Sequence, residues 1–230
     1  MRIDKFLANM GVGTRNEVKQ LLKKGAVEVN EKKIKTPKTH INPNEDHVTV
    51  NGSTISYIEN VYIMLNKPKG VISATEDDSH KTVIDLIPEY SHLGVFPVGR
   101  LDKDTEGLLL LTNDGQFNHE LMNPNKHVSK TYEVVSKYPI KQADIEAFES
   151  GVELSDGKVK PAKLIKGNDH LSYVTIYEGK YHQVKRMFHS MENEVLELKR
   201  IKIANLELDQ SLNDGEFRFL NEQDFNNLKN

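Results

Sequence analysis

The stretch Val98-Gly99-Arg100-Leu101-Asp102-Lys103-Asp104-Thr105-Glu106-Gly107, followed by Leu108 to Leu111, decides how this chain is read. It sets one carboxylate beside an arginine, at the end of an apolar run and directly before a second, continuous one. Short apolar runs of this kind suit buried strands, so the polar loop between them delivers Asp102 from a sheet edge into a cleft. The acids at 102, 104 and 106 before Gly107 also imitate the first half of a calcium loop. Position twelve, however, is Asn113 and not a bidentate glutamate, and the flanks are strand-like where helices should stand. Paired carboxylates suit a glycosidase as well, but the chain has no tryptophan for a sugar platform.

Working outward, strands are expected at 94–99 and 107–112 on either side of the loop, at 61–65 before it, and at 130–136, 162–166, 171–177 and 195–208 after it. Helices are expected at 115–122, 140–150, 181–191 and 222–229. Strands outnumber helices and do not alternate strictly with them, which predicts an α+β fold on a mixed, mostly antiparallel sheet.

The N-terminal segment reads differently. Ile3, Phe6, Leu7 and Met10 form one helical stripe. Gly11 and Gly13 interrupt it, and Thr14 with Glu17 three residues on forms a capping box for a second helix. Val18, Leu21 and Leu22 give that helix a core face, while Arg15, Lys19, Lys23 and Lys24 remain for solvent or phosphate. Residues 26–30 alternate like a strand, and Ile34 suggests a hairpin partner. Residues 42–60 are polar and turn-rich, and are read as a hairpin followed by a linker. The resulting division is a small basic helix-helix-hairpin domain over 1–58 and a larger domain over 59–230.

The net charge of −3 conceals an asymmetry. Residues 1–40 hold ten Lys/Arg against four Asp/Glu, a net of +6, which leaves −9 for the remainder. A basic head on an acidic body points to a polyanionic partner for the head. There is no cysteine, which excludes disulfides, thiol catalysis and thiolate zinc sites. No apolar run approaches the ~20 residues of a membrane helix, and Met1-Arg2-Ile3-Asp4-Lys5 does not resemble a signal peptide. The histidines lack H-E-x-x-H spacing, so no metal site is expected. No apolar stripe is left over for a subunit interface, and a cytoplasmic monomer without membrane contact is expected.

The 98–111 stretch resembles the signature of the pseudouridine synthases. Three further segments share the resemblance in order: Leu65-Asn66-Lys67-Pro68-Lys69-Gly70, Lys130-Thr131-Tyr132, and Glu178-Gly179-Lys180-Tyr181-His182-Gln183-Val184-Lys185-Arg186-Met187-Phe188. On a helix, Tyr181, Val184, Phe188 and Met191 would pack inward, and His182, Lys185, Arg186 and His189 would form a basic face. Residues 1–48 resemble the small RNA-binding domain of the S4 type.

The resemblance implies an isomerisation of uridine to pseudouridine that needs no cofactor, because no redox change occurs. It makes Asp102 the nucleophile, Lys185 the cation that keeps its carboxylate ionised, and Tyr132 the ring that stacks on the uracil and can relay a proton. Lys185 stands where related branches carry arginine, giving a point charge and no bidentate fork. Arg100 is placed to fill the space of a flipped-out base or to hold a phosphate, Leu198 to form an apolar wall, and Arg186, Arg15, Lys19 and Lys23 to contact RNA.

An S4-type head joined to this motif is typical of the branch that modifies ribosomal RNA one site at a time. The segment Tyr181 to Arg186 is similar to that of the small-subunit enzymes, so small-subunit rRNA, naked or in an assembling particle, is the expected partner. Large-subunit rRNA is the alternative substrate, and a non-catalytic RNA-binding assembly factor is the alternative class.

Overall fold

A computed structural model describes residues 1–229. The chain divides into two units, Met1–Val61 with Ile87–Val95, and Tyr62–Leu86 with the residues from Phe96 onward.

The first unit contains α1 (Ile3–Asn9), α2 (Arg15–Lys23), β1 (Val27–Val29), β2 (Lys32–Lys33), β3 (Val48–Val50) and β4 (Ser53–Thr54). The four strands form one antiparallel sheet in the order β2-β1-β3-β4. The capping box is present: Glu17 N donates to Thr14 Oγ1 at 3.3 Å, and Thr14 N donates to the Glu17 carboxylate at 2.7 Å. Ile3, Phe6, Leu7, Val18 and Leu22 bury against Val27, Val29, Val48 and Val50, with Met10 and Leu21 half-buried at the margin. Ile55 and Tyr57 also pack on this core, so part of the segment read as a linker belongs to the head. Arg15, Lys19 and Lys23 are exposed along α2, four residues apart and therefore on one side of the helix.

The second unit contains β5 (Tyr62–Lys67), β6 (Phe96–Val98), β7 (Glu106–Thr112), α3 (Gly115–Met122), β8 (Lys130–Ser136), α4 (Gln142–Ser150), β9 (Glu153–Leu154), β10 (Gly157–Lys158), β11 (Lys163–Lys166), β12 (Leu171–Ile176), α5 (Gln183–Ser190), β13 (Val195–Ile203), β14 (Leu206–Glu207), β15 (Phe217–Phe219) and α6 (Glu222–Lys229). A nine-stranded sheet runs β11-β12-β8-β13-β7-β5-β15, with β14 paired to β13 and β6 to β7. Every pairing is antiparallel except β13 with β7. The architecture is thus α+β on a mixed, mostly antiparallel sheet.

Two sequence expectations change here. The strand read over 195–208 is two strands separated by a turn at Ala204 and Asn205, where Ala204 adopts φ +50°. The helix read over 181–191 begins only at Gln183, because His182 takes a left-handed conformation (φ +47°, ψ +35°) and ends the helical path toward Tyr181. Tyr181 is accordingly exposed (74 %) and does not pack inward. The buried face of α5 is Gln183, Val184, Met187 and Phe188, with Phe188 edge-on to Phe148 of α4 at 5.7 Å.

The register explains the last glycine of the opening motif. Gly107 is the parallel partner of Arg200, and a Cβ at Gly107 would lie 2.2 Å from the Arg200 carbonyl oxygen. With φ +102° as well, the position accepts only glycine. This close approach brings β13 beside the start of β7, where the 99–105 loop ends.

Candidate active site

Asp102 lies in the loop between β6 and β7, and that loop is held from beneath. Ser73 Oγ donates to the Leu101 carbonyl at 2.8 Å and accepts from Leu101 N at 3.0 Å. Beyond Leu101, Lys67 takes over. It ends β5 opposite Gly107, is fully buried, and its Nζ donates to the carbonyl oxygens of Asp102 (3.0 Å), Thr105 (2.8 Å) and Pro68 (3.1 Å). Burial lowers its pKa to about 8, with the charges of Asp104 and Asp102 opposing that shift. Thr105 N donates back to Asp102 O at 3.0 Å, closing a tight turn. The backbone is fixed by these bonds, and the Asp102 side chain is left half-exposed to meet other groups.

Those groups come from α5 and the residue that precedes it. Lys185 Nζ lies 3.6 Å from Asp102 Oδ2, and His182 Nε2 lies 3.4 Å from Asp102 Oδ1. Lys185 reaches the carboxylate from the first turn of α5, and His182 from the left-handed residue just before that helix. The nearer partner of Lys185 is Asp104, at 2.6 Å. That hydrogen bond, and the lysine's charge, hold the Asp104 carboxyl below its ordinary range. The ammonium is therefore shared between two carboxylates, Asp102 and Asp104. The turn before α5 is set by Gln183, whose Oε1 accepts from Lys180 N at 2.9 Å and whose Nε2 donates to Glu178 at 3.2 Å.

Asp102 opens onto a cavity of about 270 Å³. Arg100, Tyr132, Lys185 and Leu198, all singled out from the sequence, line it with Asp102. Tyr132 and Leu198 are buried, Arg100 is exposed, and Tyr132 is the direct cross-strand neighbour of Arg200. Arg186 is not brought to the cavity; its guanidinium is engaged by the Asp156 carboxylate and by the Tyr181 carbonyl at 3.1 Å. Arg15, Lys19 and Lys23 belong to the other unit.

Several lining or supporting residues escaped the sequence reading: Lys67 as the loop's strut, His182 as a contact of Asp102, and Lys130 and Arg200 as cavity cations. Only a buried lysine at the end of an apolar strand, as at Lys67, leaves a trace in sequence. Arg200 in a strand of mixed polarity leaves none. Among the described residues, no group of three or more acidic or histidine side chains suited to a metal occurs, and no helix is long and apolar enough to cross a membrane.

A cleft with one held carboxylate, a buried aromatic ring and several cations can bind a planar, polar ring and attack it or its attached carbon. Comparison with known proteins identifies the family. A family model described as RNA pseudouridylate synthase matches residues 61–190, and one described as S4 domain matches residues 1–47. The chain is 51% identical to the Bacillus subtilis protein named uncharacterized RNA pseudouridine synthase YtzG, over 99% of this chain and 98% of that one. It is 38% identical to ribosomal small subunit pseudouridine synthase A of Haemophilus influenzae, over 99% of each chain. It is 37% identical to ribosomal large subunit pseudouridine synthase B of Bacillus subtilis, over 99% and 95%. A crystal structure of a pseudouridylate synthase, 36% identical, aligns over 99% of both chains with a TM-score of 0.71. On its motifs, its fold and these relatives, the chain belongs to the RNA pseudouridylate synthase family and carries an S4 domain at its N-terminus.

Proposed function

We propose that this pseudouridine synthase isomerises one uridine of ribosomal RNA, in the small subunit, with Asp102 as the nucleophile. The observation that carries the reading is the setting of Asp102: a carboxylate on a braced loop, within 3.4 Å of His182 and 3.6 Å of Lys185, at a cavity that also contains Tyr132 and Leu198. The bracing supports attack from a fixed position. Tyr132 and Leu198 offer the uracil an aromatic face and an apolar wall, and a target inside folded RNA reaches them by flipping out of its stack. Arg100, exposed at the rim, meets the phosphate next to the flipped nucleotide.

Residues 1–58 act as the docking module and 59–230 as the catalytic domain. The exposed row Arg15, Lys19 and Lys23 supports phosphate contact by the first. The enzyme works as a cytoplasmic monomer on rRNA or on an assembling particle.

The small-subunit assignment rests on the segment Tyr181-His182-Gln183-Val184-Lys185-Arg186. Identity to the named relatives does not separate the subunits, since it is 38% for a small-subunit enzyme and 37% for a large-subunit one. The separating experiment is tritium release from C5-tritiated uridine in transcripts of each rRNA. Release from the small-subunit transcript alone is expected; release from the large-subunit transcript alone would overturn the subunit and leave the chemistry standing.

A further inference from the structure

Of the cavity cations, Arg100, Lys130, Lys180 and Arg200 have no acidic partner among the described residues, and two of them, Arg200 and Lys130, stand on the strands beside Tyr132. Arg200 is 2 % exposed. Its Nε donates to the Leu108 carbonyl at 2.8 Å, while its Nη2 is buried and has no hydrogen-bond partner. Lys130 Nζ has only the Val128 carbonyl, at 3.4 Å. Burial, reinforced by the charge of Arg200, lowers the Lys130 pKa to about 8. An unpaired buried donor on a guanidinium is rare and costly, so its place in the cavity needs a partner that arrives with the substrate.

The strand geometry indicates which part of the substrate that is. Arg200 stands directly across from Tyr132, and Lys130, two residues before Tyr132, shares its face of β8. Leu198 and Ile176 bound the same space. The two cations therefore adjoin the buried aromatic and apolar surface where a base fits, and a hydrated phosphate is poorly suited to it.

We propose that Arg200 and Lys130 hold the detached uracil as an anion while it turns. This inference rests on the assignment of Asp102 as nucleophile. Written for attack at the ribose, the Asp102 carboxylate forms a C1′–O bond as the N1–C1′ bond breaks. The electron pair of that bond stays on the uracil, spread over N1 and the ring carbonyl oxygens. After rotation, C5 supplies the pair for the new C5–C1′ bond and the Asp102 carboxylate leaves. The proton lost from C5 balances the one gained by N1, so no oxidant or reductant is involved. Donors fixed at a charge that develops only during reaction act on turnover and not on binding.

The test compares wild type with Lys130→Met, Lys130→Arg and Arg200→Gln on small-subunit and large-subunit rRNA transcripts carrying C5-tritiated uridine. It reads kcat from tritium release, Kd from direct RNA binding, and folding from thermal melting. Lys130→Met is expected to lower kcat by about 100-fold with Kd unchanged, and Lys130→Arg to restore most of the loss. Arg200→Gln, if it melts as wild type does, should lower kcat in the same way; if it does not fold, the Lys130 pair decides. Normal kcat in Lys130→Met would overturn the proposal. So would a weakened Kd with a smaller salt dependence at intact kcat, which would reassign the pair to a backbone phosphate. Wild-type protein that releases tritium from neither transcript, nor from partly assembled particles carrying them, would instead overturn the proposed activity and this inference with it.

Discussion

The Lys67 ammonium lies 3.0 Å from the main-chain oxygen of Asp102, although thirty-five residues separate them. The sheet makes this meeting unavoidable, because Lys67 ends β5 opposite Gly107, the second residue of β7. A tight loop that turns its carbonyls inward needs a buried donor, and one ammonium supplies several. The side chain that reacts in our proposal is thus positioned through its own backbone, by a residue outside the acidic motif.

Lys67→Met tests this directly. It removes the donor and leaves the Asp102, Thr105 and Pro68 carbonyls short of a partner, which is expected to cost about 1–3 kcal/mol of stability. The loop then relaxes, and displacement of Asp102 is expected to lower kcat by about 100-fold. Urea unfolding and tritium release measure the two effects; normal turnover in a folded variant would remove the positioning role.

Lys185 faces two carboxylates with different parts to play. Asp104, whose side chain is 70 % exposed, makes the shorter contact. Asp104→Asn is expected to change stability by less than about 1 kcal/mol and to keep activity, because it frees the ammonium for Asp102. Lys185→Met is expected to lower kcat by about 100-fold with RNA affinity retained. Equal losses in the two variants would contradict this division.

Two glycines give a matched pair. Gly107→Ala drives a Cβ to within 2.2 Å of the Arg200 carbonyl, on strained backbone, and is expected to cost more than about 3 kcal/mol or to prevent folding. Gly115→Ala, at the first residue of α3 with open space around it, is expected to stabilise by about 0.4–1 kcal/mol. Thermal melting of both variants checks the β7–β13 approach against glycine substitution in general.

The acid limb of stability should depend on Arg218. This residue contacts Asp209 and Asp224, each at 2.6 Å. Hydrogen bonds from Ser211, then from Arg218, lower the Asp209 pKa to about 2. The Asp224 carboxyl is also held low, its burial being outweighed by the bonds from Arg218 and from Asn221 N. Carboxyls with depressed folded-state values stabilise the fold above their unfolded value and lose that contribution as pH falls through the folded one. Unfolding measured from pH 4 down to pH 2 should therefore be steeper for wild type than for Asp209→Asn, and equal slopes would contradict the assignment.

In the head, replacing Arg15, Lys19 and Lys23 with alanine is expected to weaken RNA binding and to reduce the logarithmic salt slope by about 2–3. Turnover at saturating RNA should be unchanged. An unaltered salt slope would remove this row from the RNA contact.

The sequence was most legible where pattern and local chemistry agreed. The Thr14/Glu17 capping box, the strand over 130–136 and the polar loop between two apolar runs all appear in the structure at or within two residues of their expected places. Where it failed, a backbone conformation or a long-range register was responsible. Helical periodicity carried α5 back through Tyr181 because a left-handed histidine at 182 gives no compositional signal. Ala204 likewise turns the chain at a residue type that does not announce a turn. The roles of Lys67 and Arg200 depend on which strands lie side by side, and the sharing of Lys185 with Asp104 depends on the shape of one loop.

The central claim is that Asp102 performs the attack. The most direct measurement is tritium release from C5-tritiated uridine in small-subunit rRNA by wild type and by Asp102→Asn, alongside RNA binding by both. The account predicts release by wild type, no detectable release by the variant, and equal affinity. Turnover by Asp102→Asn near the wild-type rate would contradict it.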